Sequence, residues 1–326
     1  MTIKNTAAAR PKTAVVAITD RCNSRCTFCK IWQRESAVDL DEKLIDKLPL
    51  SIKEVNITGG EPFLHGNLEK IVEKLCDRNC VVIINTNGLV PINRRYSFLK
   101  RNRVGIRFSL DGIGQLHDEL RGIPGNFKKV IGQIDALQSI GFNNIGIVST
   151  FSDQNWRALR PLYKLSRDMK IGFTCAIAAN SEVYYRTTAN RFREAASFTS
   201  ELRHVIGREM LSLKVKGIGK ALFMKELCRF AVTPAKLLRC SAGNSFFFLS
   251  ATGDVFTCNM RNLHIGNLST NSFEDLWRCE AAGRARAIAS RCSQPCWTMC
   301  NAKQILKEHI VYYSFKFLTP IGGSNA

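Results

Sequence analysis

The chain has 326 residues, 45% of them hydrophobic, which allows one large domain or one domain with a smaller companion. Lysine and arginine outnumber aspartate and glutamate by 47 to 27, which gives a formal net charge of +20. Residues 1–12 form a polar, basic tail without a signal-peptide core, and no uncharged apolar run reaches the roughly 18 residues that cross a membrane. We therefore predict a cytoplasmic globular protein.

Six short apolar runs in the first half of the chain predict buried strands, at residues 14–19, 54–58, 81–86, 104–110, 145–151 and 173–178. Amphipathic stretches between them predict helices at residues 40–48, 68–78, 93–101, 127–140 and 156–169. Apolar strands that alternate with helices indicate a parallel sheet that is covered on both faces. The predicted fold is α/β, a partial (β/α)6 TIM-like barrel over residues 13–190.

The rest of the chain differs in composition and in its pattern of apolar residues. Residues 191–235 are predicted to be a basic, helical connector, and residues 236–326 a small cysteine-rich domain. Within this domain, residues 246–249 and 255–258 predict a β-hairpin, and a helix is expected from Ser272 to about residue 290 because serine is a good N-cap.

Three of the 13 cysteines lie just past the first predicted strand, as Cys22, Cys26 and Cys29 in a Cys-x3-Cys-x2-Cys arrangement. Clustered cysteines in a cytosolic chain indicate metal ligands rather than disulfides. Three thiolates can hold three corners of a 4Fe–4S cluster and leave the fourth iron open. A zinc site would need a fourth ligand close by, and the nearest candidate is His65.

Polar residues and glycines follow the next strands, at the barrel mouth where such enzymes place their chemistry. The second predicted strand runs into Gly59-Gly60-Glu61-Pro62, in which the glycines allow close backbone approach and Glu61 offers a carboxylate to an ammonium group. Later candidates are Asn85, Asn87, Ser109, Asp111, Arg121 and Ser149.

The cysteine loop resembles the defining motif of the radical S-adenosylmethionine (SAM) superfamily, and Arg21 and Asn23 resemble its peptide- and cofactor-maturing branch. The resemblance implies that the open iron chelates SAM and that an electron from the cluster yields a 5′-deoxyadenosyl radical. It also implies that Gly59, Gly60, Glu61 and Pro62 grip the methionine amino group. The other candidates would contact the SAM ribose or carboxylate: Asn85, Asn87, Ser109, Asp111, Arg121 and Ser149. For Arg121 a surface salt bridge is the alternative. An external electron donor such as flavodoxin or ferredoxin is expected.

Five C-terminal cysteines resemble the SPASM or shorter twitch extension of that superfamily: Cys240, Cys258, Cys292, Cys296 and Cys300. Their number favours one auxiliary 4Fe–4S cluster. The resemblance implies Cys240 and Cys258 as ligands, completed by Cys296 and Cys300, with Cys292 as a spare, a ligand or an exchangeable partner. Structural zinc is the alternative. Cys279 is expected inside an ordinary helix, and Cys76, Cys80, Cys175 and Cys228 as buried small hydrophobic residues.

The predicted function is a radical SAM enzyme that dehydrogenates, epimerises or cross-links an unknown peptide or small molecule. The positive charge suggests an anionic substrate, although solvated helix faces explain the charge equally simply. Because the first strand begins by residue 14, a leader-binding domain before it is not expected. Alternatives are modification of tRNA or of a lipid-linked molecule, with peripheral membrane contact through the apolar tail, and a non-catalytic electron-transfer protein. No RNA-binding signature supports a nucleic-acid partner.

Overall fold

A computed structural model describes residues 10–94, 96–187, 190, 197–198, 200–202, 225–227, 240–292, 296 and 302. Most of the predicted connector, 191–235, lies outside these residues, as do Cys228, Cys300 and the apolar tail. None of the helices among the described residues has the length and apolar character that a bilayer crossing requires.

Six parallel strands form the first part of the sheet: β1 Thr13–Thr19, β2 Glu54–Gly59, β3 Val81–Thr86, β4 Val104–Ser109, β5 Ile145–Phe151 and β6 Gly172–Ile177. Their spatial order follows the chain, because each strand pairs in parallel with the next. All seven residues of β1 are buried, as expected for a strand that is covered on both faces. The predicted α/β partial barrel is confirmed.

Four helices connect these strands: α1 Leu68–Asp77, α2 Gln115–Arg121, α3 Asn126–Ser139 and α4 Leu159–Asp168. In α1, α3 and α4 the buried residues form a largely apolar side, which in α1 consists of Leu68, Ile71, Val72, Leu75 and Cys76. The buried residues of α2 are instead His117, Leu120 and Arg121. The sequence did not predict α2, which follows the end of β4 and carries Arg121 to the barrel mouth.

Three predicted helices are shorter than expected. The segment 40–48 contains only a 3-10 helix at Glu42–Ile45, and 93–101 only one at Ser97–Lys100. The segment 156–169 begins as a 3-10 helix at Trp156–Ala158 before α4. Isolated segments of about ten residues gain little from helix propagation, so packing of their apolar residues decides the backbone. Buried Leu44, Ile45 and Phe98 dominate the first two.

The C-terminal strands extend the same sheet. They are β7 Phe246–Leu249, β8 Asp254–Phe256 and β9 His264–Asn267, and β7 pairs in parallel with β1 while β8 and β9 follow antiparallel. The sheet therefore has nine strands in the order β6-β5-β4-β3-β2-β1-β7-β8-β9. The hairpin that the sequence predicted as part of a separate unit closes on the first strand of the barrel.

The helix predicted from Ser272 to about residue 290 is two helices, α5 Phe273–Arg278 and α6 Glu280–Arg291. Ser272 caps α5 as predicted, accepting a hydrogen bond from the Asp275 backbone N–H. Cys279 is not inside a helix. It has extended backbone angles between α5 and α6, and its sulfur accepts from the Ala282 N–H as the N-cap of α6.

Candidate functional site

The cysteine loop begins where β1 ends and is held by α2. The backbone N–H groups of Arg25 and Thr27 donate to Arg121 and Leu120, and the Ser24 hydroxyl donates to the Arg121 carbonyl at 3.1 Å. Cys22, Cys26 and Cys29 all line one open cavity of about 760 Å³.

The three thiols lie close enough to influence one another. Burial raises the pKa of Cys22 to about 12 and that of Cys29 to about 11, and the neighbouring Cys26 adds to both shifts. Thiols in such a setting stay protonated unless a strong cation binds and displaces the proton. This behaviour suits a group of metal ligands rather than a reactive free thiol.

Hydrogen-bond donors also surround the sulfur atoms. The Ser24 hydroxyl lies 3.3 Å from the Cys26 sulfur, Arg121 Nη1 lies 3.5 Å from the same atom, and Asn87 Nδ2 lies 4.0 Å from the Cys22 sulfur. Among the described residues no His, Cys, Asp or Glu side chains are grouped to hold one metal ion. In a 4Fe–4S cube each thiolate binds a different iron, so more widely spaced thiols with nearby donors fit such a cluster.

Gly59 and Gly60 let the end of β2 pack against the cysteine loop. Gly59 has a φ of 118°, and a Cβ there would lie 2.2 Å from the Thr19 carbonyl oxygen. A Cβ on Gly60 would lie 2.0 Å from the Arg21 carbonyl oxygen, which accepts the Glu61 N–H at 2.7 Å. Both glycines line the cavity. The close backbone approach therefore forms one wall of it.

The Glu61 carboxylate is hydrogen-bonded to other groups of the protein and is not exposed in the cavity. It is fully buried, and it accepts from the Asn87 N–H at 2.7 Å, the Thr86 hydroxyl at 2.8 Å and the Phe63 N–H at 3.1 Å. Burial raises the pKa of Glu61 to about 7, against these hydrogen bonds. In this structure Glu61 joins β2 to β3, which differs from the direct ammonium contact that the sequence suggested. Pro62 starts a 3-10 helix and does not line the cavity.

Four of the other predicted SAM contacts line the cavity, namely Asn85, Asn87, Ser109 and Arg121, whereas Asp111 and Ser149 do not. The Ser149 hydroxyl donates to the Leu110 carbonyl oxygen at 2.5 Å. Its neighbours Val148 and Thr150 face the cavity instead. Successive side chains of a strand point to opposite faces, so the residues on either side of Ser149, and not Ser149 itself, face the cavity.

Arg121 forms a buried ion pair with Asp111, not a surface salt bridge. Its Nη2 lies 2.5 Å from Asp111 Oδ2, and its guanidinium packs over the Phe28 ring at 5.3 Å. Burial opposes the charge on Arg121, but Asp111 and Cys26 raise its pKa overall. The Asp111 carboxylate also accepts from the Thr150 N–H. This network fixes a cation beside the cysteine loop.

Six polar residues that line the cavity were not predicted as site residues: Ser24, Thr58, Thr86, Thr150, Tyr184 and Tyr185. The threonines stand at or near the C-terminal ends of predicted strands, so the rule that ligands gather at that edge could have found them. The tyrosines come from the loop after β6, for which no motif was available. The Tyr184 hydroxyl lies 2.5 Å from the Thr58 hydroxyl.

A second cavity of about 700 Å³ adjoins the first and shares Ile31, Gly59 and Tyr184 with it. It lies where β1 meets β7 and β8, below the loop after β6. Phe248 and Phe256 line its apolar part, and charged residues line the remainder: Asp20, Arg34, Glu182, Arg186 and Asp254.

The C-terminal cysteines are partly brought together. Burial raises the pKa of the Cys258 thiol and Cys292 adds to the shift, while the Met260 and Arg261 backbone N–H groups oppose it. Met260 N lies 3.3 Å from the Cys258 sulfur, and Arg261 Nη1 lies 3.7 Å from the Cys292 sulfur. Cys240 and Cys296 are half-buried, and Cys300 lies outside the described residues. Cys292 is thus near enough to Cys258 to raise the pKa of its thiol.

Comparisons with known proteins agree with this architecture. A model of the radical SAM superfamily matches residues 16–165, and a model of the SPASM iron–sulfur cluster-binding domain matches residues 240–301. The AdoMet-dependent heme synthase of Nitratidesulfovibrio vulgaris is 24% identical over 288 residues, covering 80% of this chain and 77% of the relative. The antilisterial bacteriocin subtilosin biosynthesis protein AlbA of Bacillus subtilis is 24% identical, covering 88% of this chain and 64% of the relative.

Among solved structures, Streptococcus suis SuiB bound to S-adenosylmethionine has a TM-score of 0.66 at 16% identity, covering 86% of this chain and 68% of SuiB. At this identity the likeness shows a shared fold.

Proposed function

Because the chain belongs to the radical SAM superfamily and carries a SPASM iron–sulfur domain, we propose that it modifies a substrate by radical abstraction of hydrogen. SAM would occupy the cavity lined by Cys22, Cys26 and Cys29, and the substrate would occupy the adjoining cavity. The observation that carries this proposal is the wall that the two cavities share, formed by Ile31, Gly59 and Tyr184. A reactive species formed on one side of that wall has a short path to a substrate on the other.

Cys22, Cys26 and Cys29 would hold a 4Fe–4S cluster, and Gly59, Gly60, Asn85, Asn87, Ser109 and Arg121 would contact SAM. When bound, these cofactors supply the 5′-deoxyadenosyl radical that removes hydrogen from an unactivated carbon. Asp111 would act by positioning the Arg121 guanidinium, Glu61 by holding β2 against β3, and Ser149 by bonding to the Leu110 carbonyl.

Two tyrosines of the loop after β6 form part of the wall of the first cavity. Tyr184 and Tyr185 line it, and their rings meet edge to face at 4.8 Å. The hydrogen bond between Tyr184 and Thr58 connects this loop to β2. These residues would lie beside SAM bound in the cavity.

For the C-terminal part we propose one auxiliary 4Fe–4S cluster on Cys240 and Cys258, with further ligands among Cys292, Cys296 and Cys300. This cluster would accept an electron from the substrate or contact it, which is the chemistry of an oxidoreductase. An external donor such as flavodoxin or ferredoxin would reduce the first cluster. Dehydrogenation, epimerisation and cross-linking all fit this arrangement.

The relatives point to two substrate classes. One is named as a heme synthase and another as a bacteriocin biosynthesis protein, so a tetrapyrrole and a peptide are both candidates. Each relative is 24% identical to this chain, a level of identity at which the name of a relative does not assign the substrate.

The decisive test is anaerobic incubation of the reconstituted, dithionite-reduced protein with SAM. We expect 5′-deoxyadenosine, and we expect Cys26→Ala to abolish it while Cys76→Ala, a buried cysteine on α1, retains it. Cys258→Ala should keep most of the SAM cleavage while losing about four irons per chain, the content of one cluster. If the wild-type protein binds iron but forms no 5′-deoxyadenosine, the proposed function is wrong and the electron-transfer alternative is favoured. Zinc bound in the C-terminal part would exclude the auxiliary cluster.

A further inference from the structure

We propose that the second cavity binds a substrate portion that is apolar and ends in a carboxylate, with the Arg186 guanidinium as the group that receives the carboxylate. This inference rests on the proposed function, since it assigns the substrate class of the adjoining cavity. It is carried by the apolar wall of the cavity, the placement of Arg186 and the lack of a hydrogen-bond or ion-pair partner for its guanidinium among the described residues.

The apolar wall comes from the seam between the barrel and the C-terminal strands. Val15 and Ala17 of β1 and Phe248 of β7 form a small cluster, separate from the main core, against which Val183, Tyr184 and Phe256 pack. The Tyr184 and Phe248 rings meet edge to face at 6.0 Å, and the Phe248 and Phe256 rings are tilted to each other at the same distance. Aromatic surfaces of this kind favour a flat or aliphatic ligand portion.

Arg186 is held at the cavity by its backbone. Its φ is 55°, an uncommon conformation for a residue with a side chain. The strand-like pairing of Ser181 with Thr187 closes the loop through hydrogen bonds of 2.9 and 3.0 Å, and the Tyr185 carbonyl accepts the Lys30 N–H at 2.9 Å. The residues on both sides of Arg186 are therefore hydrogen-bonded in place, and the exposed Arg186 side chain lies at the mouth of the cavity. A left-handed backbone conformation is energetically unfavourable for a residue with a side chain, so it is retained only where surrounding contacts impose it. Such residues cluster at functional sites.

Three carboxylates and two guanidinium groups line the cavity, and none of these described carboxylates forms an ion pair with Arg186. Arg34 pairs with Asp20, and the Asp254 carboxylate accepts from Thr252, Asn267 and His264. The exposed Glu182 stands at the rim, where its backbone N–H donates to the Met260 carbonyl oxygen. Within the described part of the chain, the Arg186 guanidinium makes neither a hydrogen bond nor an ion pair.

Arg34 and Arg186 also act on each other. Burial lowers the pKa of Arg34, and the charge of Arg186 lowers it further. Two guanidinium groups this close repel, and an anion placed between them or on Arg186 would relieve that repulsion. A carboxylate suits this position because the planar fork of arginine can donate two parallel hydrogen bonds to it.

The experiment compares two probes of the same shape, 3-phenylpropionate and its uncharged amide 3-phenylpropanamide. Each is titrated into the full-length, anaerobically reconstituted protein, and binding is followed by ligand-observed NMR. We expect the acid to bind the wild type about tenfold more tightly than the amide, the size of a charge-assisted hydrogen bond. In Arg186→Gln the two probes should bind equally, because the charge that distinguishes them is gone.

Arg284→Gln is the matched control, since Arg284 is an exposed arginine on α6 that pairs only with Glu280 among the described residues. It should keep the wild-type preference for the acid. Equal amide binding by the wild type and Arg186→Gln would show that the mutated cavity is still folded, and Arg186→Lys should restore part of the preference. The proposal fails if neither probe binds, if acid and amide bind the wild type equally, or if the preference survives in Arg186→Gln. Probe binding requires no SAM cleavage. Failure of this proposal is therefore distinguishable from failure of the proposed function, which would appear as a wild-type protein that forms no 5′-deoxyadenosine.

Discussion

Buried polar side chains stabilise the barrel mouth through hydrogen bonds to the backbone and to one another. Glu61 binds two backbone N–H groups and a threonine hydroxyl, and Asp111 binds Arg121 and the Thr150 N–H. A buried charge that lost its partner would cost several kcal/mol, so these residues are constrained even without touching a ligand. Arg121 has both roles, since it contacts Asp111 and lines the cavity.

His117 is a buried residue whose protonation should affect stability. Its Nδ1 accepts the Asp111 N–H at 3.2 Å, and burial lowers its pKa from 6.5 to about 3. As the pH falls below about 6.5 the unfolded chain gains a proton that the folded chain does not, so folded stability decreases. At pH 5 the loss from this group is about 2 kcal/mol.

The measurement is urea unfolding at pH 7.5 and pH 5. His117→Asn retains an acceptor for the Asp111 N–H but does not titrate, so its stability should fall by about 2 kcal/mol less than that of the wild type between the two pH values. His264→Asn, at a half-exposed side chain, is the control. An unchanged pH dependence in His117→Asn would contradict the assignment.

The auxiliary ligands can be tested at Cys292. The proximity of Cys292 to Cys258 predicts that Cys292→Ala loses auxiliary-cluster iron to the same extent as Cys258→Ala, about four irons per chain. Iron analysis and electron paramagnetic resonance of the reduced protein provide the readout. Cys279→Ala should keep its iron, since the Cys279 sulfur caps α6. Full iron content in Cys292→Ala, with loss in Cys296→Ala, would make Cys292 the spare cysteine.

At the scale of elements, the site depends on how closely the end of β2 approaches the cysteine loop after β1. The Gly60 N–H donates to the Thr19 carbonyl oxygen and the Glu61 N–H to that of Arg21, each at 2.7 Å. These two hydrogen bonds continue the β1–β2 pairing beyond the ends of both strands. The end of β2 and the start of the cysteine loop are therefore hydrogen-bonded directly to each other.

Gly60→Ala should separate these two elements. The new methyl group would lie 2.0 Å from the Arg21 carbonyl oxygen, so the backbone must shift. A shift of about 1 Å can lower a rate about a hundredfold, which is the loss we expect in 5′-deoxyadenosine formation. Gly66→Ala is the matched control, because a Cβ at Gly66 meets no atom within 4 Å. Full activity of Gly60→Ala would show that the close approach is dispensable.

At the scale of the whole molecule, the continuous nine-stranded sheet joins the barrel and the C-terminal strands. Phe247 of β7 is fully buried, and its ring packs at 4.8 Å from Phe273 and 6.0 Å from Trp277. Since β7 also pairs with β1, the two parts should unfold as one unit.

Phe247→Ala tests this coupling. The cavity it leaves should cost about 3–5 kcal/mol, and far-ultraviolet circular dichroism and cluster absorbance should be lost in the same transition. Ile288→Ala, at a side chain 44% exposed on α6, should change stability by less than about 0.5 kcal/mol. Separate transitions for the two signals would show that the barrel folds independently of the C-terminal strands.

The sequence by itself determined the six parallel strands and the resemblance to the radical SAM superfamily, and it predicted Cys22, Cys26 and Cys29 as cluster ligands, because strand periodicity and ligand spacing are local properties of the chain. Only the tertiary structure decided that Glu61 binds the backbone, that Arg121 pairs with Asp111 and that Thr150 rather than Ser149 faces the cavity. It also decided that β7 joins β1 and so creates the second cavity with Arg186 at its edge. The Glu61 and β7 contacts join residues far apart in the chain, and the Arg121–Asp111 pair and the orientation of Thr150 depend on how the elements pack, which no local pattern specifies.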